Sequence, residues 1–153
     1  MKRSLARAMA GVAFGLVVYS SPALAQIAVV VSKSNPVNDL SLEDLEDLYL
    51  GRRTTFASGE LVVLGEYRPA RRSFYQVVLR LSESAVNRHW IGIVFSEGQA
   101  SPPRVFRDAE AAHRFVLSTR GAICFLDLAA VTDDMKVLTI GGNGPRDQAY
   151  SIR

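Results

Sequence analysis

The sequence has one cysteine, two histidines and three lysines among 153 residues, and each shortage excludes something. With Cys124 alone there is no internal disulfide, so the apolar core must hold the fold. Cys124 lies in the run Ala122-Ile123-Cys124-Phe125-Leu126. No base or positive charge accompanies it there, so it reads as a buried thiol rather than a nucleophile. His89 and His113 with one cysteine make no compact ligand set, which argues against zinc, and both read as packing or surface histidines. No cofactor is expected. There is no G-x-S-x-G, no P-loop and no G-x-G-x-x-G. Gly141-Gly142-x-Gly144 is explained by a turn. The acids Glu43, Asp44, Glu46 and Asp47 fit a solvated helix start better than acid–base chemistry. These residues do not point to an enzyme. A hydrophobic fraction of 48% excludes intrinsic disorder, and the length suits one ordinary domain.

The charge is unevenly placed. The whole chain carries 18 Lys+Arg against 15 Asp+Glu, a formal net charge of +3. Lys2, Arg3 and Arg7 precede a short apolar stretch, Met9 to Tyr19, which Ala23-x-Ala25 follows. That is the pattern of a secretory signal peptide over residues 1–25, cut between Ala25 and Gln26. The stretch is too short for a comfortable membrane span. Cleavage removes three cations and no acid, which leaves residues 26–153 formally neutral. Export and neutrality together argue against nucleic acid as a partner. The remaining cations are arginines except for Lys33 and Lys136.

Hydrophobic periodicity then predicts alternating strands and helices. Ile27–Val31 reads as a buried strand, and Ser32–Leu40, with Asn35-Pro36, as a loop. Ser41 caps a helix to Leu50 with Leu42, Leu45, Leu48 and Tyr49 inward, closed by Gly51. After a turn at Ser58-Gly59, Leu61–Leu64 reads as a strand and Gly65–Pro69 as a loop. The spacing of Phe74, Val77, Val78 and Leu81 predicts a helix over 70–81, with Pro69 in its first turn. A helix over 83–95 turns Val86, Trp90 and Val94 inward. Arg104–Phe106 reads as a short strand, and Asp108 caps a helix to Ser118. Ala122–Leu126, Lys136–Ile140 and Ala149–Arg153 read as the last strands. The alternation implies an α/β fold with a mixed, mostly parallel sheet flanked by helices.

One place has chemical promise. Arg68, Arg71, Arg72 and Ser73 stand where the chain leaves a strand and enters a helix. Helix-start amides, the dipole and guanidiniums together suit an anion. The alternative is that the arginines are solvated or paired with Glu66.

The ordered set of segments resembles the phosphate-type solute-binding proteins of ABC transporters. The segments are Ile27–Val31, Leu40-Ser41-Leu42-Glu43-Asp44-Leu45, Leu48-Tyr49-Leu50-Gly51-Arg52, Pro69-x-Arg71-x-x-Phe74, His89-Trp90 with Phe95, and Arg120-Gly121-Ala122-Ile123-Cys124-Phe125. The resemblance implies one lobe of a type 2 periplasmic-binding-protein-like fold. It also implies phosphate or a related oxyanion as ligand, for transport or sensing, with the membrane met only through a transporter or sensor. Two departures are plain. Such proteins have two lobes and about twice this length. Their Arg-x-x-Gly-Ser-Gly-Thr phosphate loop is replaced here by Gly65–Ser73, in which Glu66 adds a repelling carboxylate. An alternative expectation is therefore a single-lobe module that binds another envelope protein or itself.

Overall fold

The computed structural model describes residues 26–96 and 98–152, and the leader expected over residues 1–25 lies outside them. A five-stranded sheet has the order β4-β3-β5-β1-β6, from β1 (Ile27–Ser32), β3 (Val63–Tyr67), β4 (Arg104–Phe106), β5 (Ala122–Asp127) and β6 (Met135–Val137). β3 pairs parallel with β4 and β5, while β1 pairs antiparallel with β5 and β6. Four strands therefore share one direction and β1 opposes them, the mixed, mostly parallel sheet expected from the sequence. A two-residue parallel ladder joins β2 (Asp39–Leu40) to β7 (Thr139–Ile140).

β1 is apolar throughout because both sheet faces are covered. On one face Val29, Leu64, Ile123 and Phe125 meet α1 (Leu42–Tyr49), the helical segment after β3 and α3 (Glu83–Phe95). On the other, Ala28, Val30, Cys124 and Leu126 meet Ala112, Phe115 and Val116 of α4 (Ala109–Ser118). Gly65 in β3 permits this second layer. A Cβ there would stand 2.5 Å from Phe115 Cε1 and 3.2 Å from Cys124 Sγ.

The helix caps follow the sequence. Ser41 accepts from Asp44 N, with the Asp44 carboxylate returning to Ser41 N as a capping box. Gly51 takes φ 68° after α1, the left-handed closure that glycine permits.

Several boundaries differ. β3 begins two residues later than expected and runs through Gly65 and Glu66, because β4 and β5 supply ladder partners on both sides. The helix expected over 70–81 starts earlier, as a 3₁₀ turn Arg68–Ala70. It continues as α2 (Arg71–Phe74) and ends as a π turn, Tyr75–Leu79. Its buried face is Phe74, Tyr75, Val78 and Leu79, while Val77 and Leu81 are only half-buried. Val94 is exposed rather than inward. The strand expected over 136–140 divides at Leu138, whose N–H donates to Val29 O as its side chain enters the core. No strand forms over residues 149–152, yet Tyr150 and Ile152 are buried in the core.

Candidate functional site

β3 delivers Glu66 and Tyr67 to its C-terminal end, and the chain turns at once into Arg68-Pro69-Ala70. Pro69 sets the backbone for this turn, and buried Ala70 and Phe74 pin the segment to the sheet. With that side fixed, Arg68, Arg72 and Ser73 are left exposed. Arg68 lies in the 3₁₀ turn and Arg72 in α2, four residues further on. Arg72 also lines a 240 Å³ depression with Gln76, Ser82, Glu83 and Ser84, at the start of α3.

Arg71 is directed differently. Its side chain is 15% exposed, with Nε 3.2 Å from Glu66 Oε1 and 3.8 Å from Glu83 Oε2. The 3.2 Å approach lacks the alignment of a hydrogen bond, so Nε is a buried donor without an aligned acceptor among the described residues. Nη2 donates to Asn87 Oδ1 at 2.7 Å. The guanidinium stands 5.4 Å from the Tyr75 ring centroid. The Tyr75 hydroxyl donates to Glu66 Oε2. Glu66 is only 2% exposed. Burial pushes its carboxyl above the usual range, against the opposing pull of the Tyr75 hydroxyl and the Arg71 guanidinium. Burial, then the charge of Glu66, also raises the Tyr75 hydroxyl.

The structure thus leaves Arg68, Arg72 and Ser73 each exposed along the start of the segment. It sets Arg71 in an ion-pair cluster that ties β3 to the helices. The pairing of Arg71 with Glu66 was foreseeable as the alternative. Tyr75 and Asn87 were not found from sequence. The usable signal for Tyr75 was its place beside Phe74, at the margin of the predicted apolar face.

A 430 Å³ groove opens beside this cluster. Its floor carries Glu66, Arg71 and Tyr75, and its walls come from α3 and β4. Register explains the floor: Glu66 lies between Val105 of β4 and Phe125 of β5. The helices cover Phe125 but leave Val105 exposed. A separate 770 Å³ cleft, rich in hydroxyls from Ser32, Ser34, Ser58 and Thr119, lies near Arg120, which pairs with Glu60 at 2.7 Å. Among the described residues, no three His, Cys, Asp or Glu side chains gather as a metal set. No helix among them is long and apolar enough to cross a membrane.

An ABC-type phosphate transport receptor from Vibrio cholerae superposes with a TM-score of 0.63 at 19% identity, over 78% of this chain and 48% of its own. PstS from Borrelia burgdorferi gives 0.64 at 10% identity, over 83% and 53%. The chain has the fold of the phosphate-type solute-binding proteins. A Clostridium perfringens protein assigned as a phosphate ABC transporter substrate-binding protein, with phosphate bound, gives 0.63 at 18% identity, over 78% and 46%. This chain therefore spans about half the length of each of these solved neighbours. The Vibrio cholerae neighbour is a transport receptor and the Clostridium perfringens neighbour a substrate-binding protein, neither of them named as an enzyme. No family model matches the sequence, and no curated protein matches it.

Proposed function

We propose that this chain is an exported solute-binding domain that takes phosphate or a related oxyanion for a transporter or sensor in the cell envelope. The site is the turn from β3 into the following helix, with Arg68, Arg72 and Ser73 presented to solvent and Arg71 reached from the side. One observation carries the reading. On a scaffold shared with phosphate-binding proteins, two exposed guanidiniums and a hydroxyl stand where a helix leaves the C-terminal end of a parallel strand, a position that favours anions. Pro69 contributes no N–H, so the guanidiniums carry most of the recognition.

Calorimetric titration of the purified protein with phosphate and with sulfate tests this. Saturable heat is expected. Arg68→Ala and Arg72→Ala should each weaken binding by ~1.5–3 kcal/mol, the scale of hydrogen bonds to charged groups. No heat at millimolar anion ends the reading.

A second reading, an interaction module that no longer binds solute, is favoured by the exposed apolar side chains Ile91, Val94, Phe95 and Val105. Such a patch suits a protein partner or a second copy. Light scattering that shows a strict monomer over a wide concentration range would remove self-association from it.

A further inference from the structure

The groove beside the Glu66–Arg71–Tyr75 cluster has walls and floor of opposite character. Two of its lining residues carry buried N–H groups with no aligned acceptor among the described residues: Arg71 Nε, and Nε1 of Trp90, which is 6% exposed. Buried donors without acceptors are uncommon in folded proteins; Arg71 Nε is held by the charge of Glu66 at 3.2 Å, which leaves Trp90 Nε1 as the donor on this groove with no partner among the described residues. Ile91, Val94 and Phe95 of α3 face Val105 of β4 across the opening, all of them at least half exposed. Large exposed apolar side chains gathered at one opening mark a surface meant to be covered. The 430 Å³ volume falls in the range of small-molecule sites.

Each simple guest fails on one count. A purely apolar molecule leaves Trp90 Nε1 unmet and covers an ion pair. A bare, densely charged anion leaves the walls wet and meets the repulsion of Glu66. That carboxylate selects against compact charge, and contact with the walls compensates an anion whose charge is joined to an apolar body.

We propose that the groove binds an organic oxyanion, an aryl or alkyl phosphonate, phosphate ester or carboxylate. Its oxygens are set toward Arg71 and Trp90, and its apolar part lies between Val105 and the Ile91–Val94–Phe95 face of α3. This rests on the oxyanion reading above through Arg71, the one residue the groove shares with the Arg68–Ser73 turn, and places the organic ligand beside that turn.

Calorimetry with phenylphosphonate and with inorganic phosphate, on the same purified protein, separates the two claims. Phenylphosphonate is expected to bind at least about tenfold tighter than phosphate, ~1.4 kcal/mol. Val94→Ser and Val105→Ser alter half-exposed side chains and leave the core intact. Each should weaken phenylphosphonate at least about threefold while phosphate is unchanged, in line with lost apolar burial. Equal affinity for the two anions overturns the groove assignment and leaves the oxyanion reading standing. So does tight phenylphosphonate binding that neither variant weakens. Heat from neither anion overturns both. Benzyl alcohol binding as tightly as phenylphosphonate would show that the groove takes apolar guests without regard to the acceptor, and would also overturn the assignment.

Discussion

Glu66 joins sequence and structure in an unexpected way: a carboxylate in a parallel strand, almost without solvent, held by one guanidinium and one phenol. Removing the guanidinium strands the charge. Arg71→Ala is expected to destabilise the fold by ~3 kcal/mol, at the scale of breaking a buried pair, read from urea unfolding. The pH dependence has a definite sign. Folded Glu66 keeps its proton to higher pH than the unfolded chain, so its contribution to stability declines as pH rises above the ordinary value of 4.5. Glu66→Gln has no such proton to lose, and should gain on the parent as the solution is taken from that pH toward neutrality. Urea midpoints for both proteins at several pH values check this, and the opposite trend would refute the assignment. Residue types and spacing could not disclose the cluster. Glu66 looked like loop material because a lone acid beside apolar residues carries no mark of its partners, and those partners come from a helical segment and from α3.

The helical segment after β3 shows where periodicity works and where it stops. Phe74 and Val78 were legible because they lie on the core side under any helical winding. Tyr75 and Leu79 displace Val77 and Leu81 from that side as the last turn widens to a π turn, a change of pitch that no apolar spacing encodes. The segment ends at Arg80, at φ 54° and ψ 32°, a left-handed conformation that costs a non-glycine residue ~1 kcal/mol. Arg80→Gly should recover most of that cost in chemical denaturation. At α1 the sequence was read correctly, since the cap that Ser41 and Asp44 form is closed by residues three apart in the chain. Ser41→Ala should lose ~1 kcal/mol, visible as a lower urea midpoint. Gly65→Ala should be worse, ~1–3 kcal/mol, because α4 packs through the space that a methyl would fill.

For the molecule as a whole, the alternation of strands and helices was enough to give the sheet's class, and the ordered short motifs pointed to the fold that the solved neighbours share. Strand order was out of reach, since β1 pairs with strands near the other end of the chain and nothing local records that choice. Charge gives a prediction at this scale. The full chain has a pI near 9.3, and residues 26–153 are formally neutral. Cleavage after Ala25, proposed above, is tested by isoelectric focusing of the protein recovered from cells: a band near neutral pH is expected, and a band near 9.3 would overturn the cleavage. The two outer strands of the main sheet carry a further consequence. β4 follows Pro102-Pro103 and begins with exposed Arg104. β6 carries Lys136 at its centre, and that ammonium donates to Asn35 O and Asn38 Oδ1. A short strand behind prolines and a lysine engaged with a loop are both poor templates for a foreign strand. The sheet is thereby guarded at both margins against edge-to-edge pairing with its own copies, the route by which an open sheet grows into fibrils.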